Sequence, residues 1–160
     1  MLDLSIQPLE PRSPWLARIA ADQFEHWGPL TGFGSRNRYE TFLEEAAQSA
    51  SLPRVLVASS RGTLLGSVNL LTNEMTTRPQ FMPWMGQLFV AEGYRSLGVG
   101  AALLDAATLY VRLLGYRQLF LFTSGTLPHY YRNRGWCDVE EVTYLGKVRT
   151  IMRLCVDVAP

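Results

Sequence analysis

Cysteine is scarce in this chain of 160 residues: Cys137 and Cys155 are the only two, too few and too far apart for a disulfide framework or a thiolate metal site. Such usage is that of a chain in the reducing cytoplasm. Nowhere does a run of roughly 18 apolar residues occur, and MLDLSIQPLEPRSPW lacks the basic-then-apolar pattern of a leader, so no membrane partner is expected. Excess charge is also missing. At a formal +1, a nucleic-acid surface is not expected, and any grip on phosphate has to come from a local site. Lysine is nearly absent, with Lys147 alone; arginine supplies the other cations, a skew that suits phosphate or carboxylate and that GC-rich coding also produces. What remains, 48% hydrophobic and 18% charged residues with no repeat or low-complexity stretch, describes one globular domain spanning 1–160.

LDLSIQPL alternates apolar and polar residues, predicting a half-buried strand that ends at Pro8. Ser13 and Pro14 then read as the N-cap and first position of a helix, with Trp15, Leu16, Ile19, Ala20, Phe24 and Trp27 on one stripe and GPLTG as its stop. A second helix is predicted from Arg36 to about Ala50, with Tyr39, Phe42, Leu43, Ala46 and Ala47 inward. RVLVASS and TLLGSVNLLT flank Arg61-Gly62 as a hairpin, and WMGQLFV is the next strand. A helix through about Leu114, the buried-type strand RQLFLFT, a short helix near LPHYYRNRG and a closing hairpin turning at Gly146-Lys147 complete the order β α α β β β α β α β β. This order predicts a mixed α/β fold.

EGYRSLGVGAALL changes halfway from polar and glycine-rich to an apolar helical run. A helix start carries unpaired N–H groups and partial positive charge, and glycine lets an anion approach its backbone closely. Arg95 adds charged donors to Gly98 and Gly100. The loop is not a P-loop, because Ala101 and Ala102 stand where Lys and Ser or Thr are needed. Nor is it the dinucleotide fingerprint, because Leu103 occupies the third glycine position.

Arg-x-x-Gly-x-Gly between a strand and a helix resembles the coenzyme A pyrophosphate loop of the GNAT superfamily of N-acetyltransferases. PWMGQLFVAEGYRSLGVGAALLDAATLYVRLLGYRQLFLFT resembles that superfamily's central strand, loop, helix and following strand, and HYYRNRGW its later FYEKLGF-type segment. The resemblance covers residues 83 to 136. It implies a central mixed sheet splayed between two parallel strands, with helices on both faces and acetyl-CoA in the gap. The cofactor would meet the main chain of Leu88, Phe89 and Val90 and the loop residues Arg95, Ser96, Leu97, Gly98, Val99, Gly100 and Ala101. Asn133 is carried as a further contact, although the superfamily's asparagine usually lies earlier, where this chain has TSGTLP.

The same resemblance implies direct attack by an amine in a ternary complex. Tyr131 takes the position of the superfamily's general-acid tyrosine, and Tyr130 an apolar position. Glu74 and Glu92 are the carboxylates nearest the central strand in sequence, and Glu74 is carried as the catalytic base. His129 reads as a polar loop residue. Cys137 reads as a small core residue rather than an acyl carrier, and a Cys137–Cys155 pairing is left open. The acceptor, a small-molecule or peptide amine, would lie among the first two helices, the loop before the central strand and the last hairpin. Trp27, Phe33, Tyr39 and Trp84 are its candidate aromatic walls, and at most one of Glu140 and Glu141 can face it. The superfamily's frequent homodimers leave that assembly open, and a non-catalytic acyl-CoA-binding module is the alternative reading.

Overall fold

The computed structural model describes residues 2–156. Its elements, in chain order, are β1 (Ser5–Pro8), α1 (Leu16–Thr31), α2 (Arg36–Ala47), β2 (Arg54–Ser60), β3 (Thr63–Leu71), β4 (Trp84–Val90), α3 (Val99–Leu113), β5 (Gln118–Thr123), α4 (Leu127–Arg132), β6 (Cys137–Tyr144) and β7 (Lys147–Cys155). The strands form one sheet in the order β1-β2-β3-β4-β5-β7-β6. Every neighbouring pair is antiparallel except β4 and β5, which run parallel. The element order and the mixed α/β class expected from the sequence are those observed.

Strand alternation sends successive side chains to opposite faces and so separates the packing. In β2, Leu56 and Ala58 join the cluster beneath α3, while Val55 and Val57 join the one beneath α1 and α2. In β5, Leu119 and Leu121 face the α3 side, while Phe120 and Phe122 join Trp84, Ile151 and Tyr144 in a third cluster. Helix α3 buries Val99, Leu103, Leu104, Ala107 and Val111. Spacings of three and four residues give this single face.

Helix α1 runs past the expected stop. Pro29 lies inside it, where a regular helix would lose one N–H bond and meet a steric clash, and the chain accommodates this by leaving helical angles at Trp27 (φ −131°, ψ 16°). One further turn follows before Gly32 ends the helix at φ 78°. GPLTG is therefore a kink and a last turn. Ser13 does accept from the Trp15 N–H at 3.1 Å, but regular helix starts only at Leu16. Helix α2 is capped by Ser35, whose hydroxyl accepts from the Arg38 N–H, and it closes at Ala47, short of the expected Ala50.

Both cysteines are exposed and unpaired, so Cys137 is not the core residue expected of it. It opens β6, an edge strand, opposite Arg153; Cys155 lies two residues further along β7 and is therefore diagonal to it. No helix among the described residues is long and apolar enough to cross a membrane.

Candidate functional site

The parallel strands β4 and β5 meet at a single register pair, Trp84 with Phe120, joined by a bond from the Phe120 N–H to the Pro83 carbonyl at 3.0 Å. Beyond Trp84 they diverge. Phe89 and Val90 keep their pairing to β3 on one side, and Leu88–Val90 has no registered partner on the other. Gln87, at φ 49°, and Leu88 face the single Val68 of β3, a bulge that bends β4 at the point of divergence.

On the α3 face the gap opens into a groove of about 570 Å3 whose walls include Leu88, Val90, Arg95, Gly98, Gly100 and Tyr131. Helix α3 enters it end-on. Its ladder begins where the Ala102 N–H reaches the Gly98 carbonyl at 3.0 Å, leaving the N–H groups of the preceding turn without intrahelical acceptors. Gly98 holds φ 87° and Ser96 φ 65°, the left-handed turns that aim this backbone. A Cβ on Gly100 would stand 3.7 Å from Val90 Cγ2 and 3.9 Å from the Tyr130 hydroxyl, so protein packing does not dictate this glycine.

The Arg95 Nε–H donates to the Val90 carbonyl at 2.9 Å, folding the side chain over the strand end with its terminal nitrogens still free to point elsewhere. Arg134 lies 3.8 Å above the Tyr130 ring. Tyr131 is buried, edge-on to Trp136 and Tyr130, and lines the same groove. Burial and the neighbouring Tyr130 push its phenol up to about 12, partly offset by Arg134.

On the α1 face lies a cavity of about 400 Å3, and Leu127, at the start of α4, lines both spaces. Glu74 reaches this cavity from the loop before β4. A Cβ on Gly86 would collide with its carboxylate, so glycine there makes room for the acid. Gln87 donates its Nε2–H to Glu74 Oε1 at 2.8 Å, while Glu74 Oε2 is shielded from solvent with no hydrogen-bond partner. Part of the Glu74 side chain is exposed, but the oxygens are enclosed. Burial raises this carboxyl from 4.5 to about 7, with the Gln87 bond pulling the other way.

Behind Glu74 lies a buried polar network. Tyr39 donates its hydroxyl to Gln23 Oε1 at 2.6 Å, and Asn69 Nδ2–H groups reach Tyr39 and Gln87 at 3.0 and 3.2 Å. Gln23 in turn donates to Ser67 and Asn69, both at 3.0 Å. Each of these side chains is nearly inaccessible, so the bonds fix their rotamers and hold Gln87 toward Glu74. A third cavity, about 220 Å3, touches Glu74 from this side and is lined by Phe33, Tyr39 and the exposed Asn73.

Of the loop residues expected at the groove, Arg95, Ser96, Gly98, Gly100 and Ala101 line it, whereas Val99 is buried in the core and Leu97 is exposed outside its walls. Phe89 turns its ring to the opposite face, 5.0 Å from His26 and 6.5 Å from Trp27. Trp27, at the α1 kink, lines the cavity of Glu74, and Phe33 the smaller one. Trp84 is no pocket wall. It is fully buried, stacked among Phe120, Phe122 and Phe81, with its indole N–H on the Phe81 carbonyl.

Tyr39, at 1% exposure, contributes only its polar end to the smaller cavity. Asn133 caps the end of α4, beside His129, and lines a neighbouring cleft toward α3 rather than the groove of Tyr131. Glu92 is exposed and lines neither cavity; Glu140 is bound by Arg78. Sequence reading missed Gln23, Ser67, Asn69 and Gln87. The available signal was polar residues inside apolar windows, SVN in β3 and GQL in β4. His26, Phe122 and Arg149 were missed because nothing local marks them.

A family model described as Acetyltransferase (GNAT) family matches residues 16–136. No curated protein sequence matches the chain significantly. Among solved structures, an aminoglycoside 6'-N-acetyltransferase complexed with coenzyme A is 15% identical, with a TM-score of 0.72 over 98% of this chain and 99% of that one. A putative acetyltransferase from Salmonella typhimurium, with its cofactor acetyl-CoA, is 14% identical at 0.68 over 96% and 94%. A chimeric spermidine N-acetyltransferase from Vibrio cholerae is 17% identical at 0.71 over 95% of each. At such identities the likeness is one of fold. The family match spans most of the chain and includes the glycine loop, the splayed strands and the tyrosine helix: the chain belongs to the acetyltransferase (GNAT) family.

Proposed function

We propose that the protein is an acetyl-CoA-dependent N-acetyltransferase acting on a primary amine by direct attack. The observation that carries this reading is the divergence of β4 and β5, with a groove on one face and the cavity of Glu74 on the other, Leu127 lining both. The groove suits the coenzyme. Free N–H groups at the start of α3 favour a pyrophosphate, each favourable anion contact at such a helix end contributing about 0.3 to 1 kcal/mol. The missing Cβ at Gly100 lets a phosphate approach the backbone where a side chain would stand. Arg95 and Arg134 add charge at its rim.

Acetyl-CoA, when bound, supplies an activated acetyl thioester. The unpaired edge Leu88–Val90 would offer a main-chain N–H to the acyl carbonyl. Glu74 takes the proton that the acceptor must lose, directly or through one water. An ammonium of pKa about 10.4 giving its proton to a carboxylate at about 7 costs about 5 kcal/mol, against about 8 for an ordinary carboxylate. The neutral nitrogen then forms the amide bond as the carbon–sulfur bond breaks, and its second surplus proton goes to the departing sulfur or to solvent. Tyr131 stays protonated and donates a hydrogen bond to the departing sulfur. Because its pKa near 12 exceeds that of an ordinary thiol by about 3.5 units, its work is that of a donor to developing charge.

The test is a CoA-dependent rise in melting temperature, followed by thiol release from acetyl-CoA across a panel of amines. Both effects are expected. Thermal stabilisation without release from any amine would leave only the binding module; no stabilisation would refute the reading altogether.

A further inference from the structure

Resting on the acetyltransferase reading, we infer that the acceptor is a primary amine that carries an anionic group, carboxylate or phosphate, a few bonds from its nitrogen. The cavity of Glu74 has charge of both signs, placed apart. Its one acid is Glu74, beside Gly86 and Gln87 on the β4 side. Across the gap it is lined by Lys147 and Arg149 from the start of β7, with Leu145 from the β6–β7 turn.

Neither cation is committed to an acid: the ion pairs among the described residues are Arg18–Asp22, Arg36–Glu40, Arg78–Glu140 and Arg132–Asp138. Glu140, opposite Ile151 and so on the same sheet face as Arg149, would be the natural partner, but Arg78 holds it. Arg149 spends its Nε–H on the Tyr144 carbonyl at 3.3 Å and lies 5.8 Å from the centre of the Phe122 ring. This anchors the guanidinium and leaves its two terminal nitrogens, the fork that matches a carboxylate or phosphate, without an assigned acceptor.

His26 lends no opposing charge. Its Nδ1–H donates to the Asp22 carbonyl at 2.8 Å, and a neutral or protonated ring is equally compatible with an anion across the cavity. An amine with a second ammonium would set that charge against Lys147 and Arg149. An amine with an anion satisfies both ends at once, nitrogen toward Glu74 and anion toward β7.

The test uses matched acceptors of one chain length: an ω-amino carboxylate, its neutral amide and the corresponding diamine, with aminoalkyl phosphates and peptides beginning with Asp or Asn as further arms. These arms separate small molecules from peptide N-termini. The readout is kcat/KM for thiol release from acetyl-CoA. The carboxylate or phosphate member is expected to exceed its amide at least tenfold and the diamine by more. Lys147→Gln and Arg149→Gln should each shrink the anion-to-amide ratio severalfold, through KM for the anionic acceptor.

Because Arg149 also bonds to the hairpin backbone, the exposed Lys147 supplies the variant least able to disturb folding, and CoA-induced stabilisation reports that each variant is folded. Equal rates for the three acceptors, preference for the diamine, or equal losses on all acceptors in both variants would overturn the inference. So would turnover of no amine while CoA still stabilises the protein. A missing CoA effect would instead bring down the reading on which it rests.

Discussion

Replacing Glu74 by Gln should cripple catalysis and shift the stability difference between variant and wild type in the variant's favour as pH rises through neutrality. Glu74 has a pKa of about 7 when folded against 4.5 ordinarily, because burial penalises its charged form. Between these values the native state holds a proton that the unfolded chain has released, so wild-type stability falls as pH rises through this window. The full shift corresponds to about 3.4 kcal/mol at high pH. At pH 5.5 about 1.4 kcal/mol of it is already present, leaving about 2 kcal/mol to be lost by about pH 8.5. The side-chain amide of the Glu74→Gln variant does not ionise. Whatever that amide costs beside the shielded position of Oε2 is the same at both pH values and cancels in the comparison.

The stability difference between variant and wild type should therefore move by about 2 kcal/mol in the variant's favour between pH 5.5 and 8.5, or about 4–8 °C in melting temperature for a chain of this size. Urea denaturation at the two pH values measures it. Acetyl transfer by the variant should fall about 10²- to 10⁴-fold, and wild-type kcat/KM should rise with pH through about 7 as Glu74 becomes the free base. A difference constant within about 0.5 kcal/mol would refute the argument that burial holds this acid partly protonated.

Tyr131→Phe keeps the ring that packs on Trp136 and removes only the donor, so kcat should drop about 10- to 100-fold while CoA-induced stabilisation persists; an unchanged kcat would deny the hydroxyl a role. Gly100→Ala should leave the unliganded melting temperature within about 3 °C, since its Cβ meets only ordinary van der Waals contacts, while the CoA-induced shift falls sharply. Full retention of that shift, measured by differential scanning fluorimetry, would show that the coenzyme lies elsewhere.

The elements that formed where the sequence placed them are those whose cause is local. The Arg61-Gly62 turn, the apolar spacing of α3 and the glycine loop each act within about ten residues, and each is found. Pro29 and Gly28 misled for the opposite reason. Whether a proline ends a helix or kinks it depends on what the following turn can pack against, and Leu30 finds the cluster of Trp84 and Phe120. Trp84 was misplaced because an aromatic residue before a central strand looks the same in sequence whether it faces a pocket or two neighbouring strands.

Glu74 was legible only as a carboxylate near the strand. Its enclosure arises from Gly86, Gln87 and a network reaching back through Asn69 to Tyr39 and Gln23, pairings with separations of up to 46 residues. The cations opposite were invisible for the same reason, since Lys147 and Arg149 join Glu74 only once β7 lies beside β5.

Because Glu74 borders the larger cavity on one flank and the smaller one beneath α1 and α2 on the other, it has two doors. If Glu74 is the base, as proposed, a hydrogen ion it takes has a rearward way out past Asn73 while the acetylated molecule still fills the front. Recharging the base and clearing the product would then be parallel events, and the cycle would not queue one behind the other.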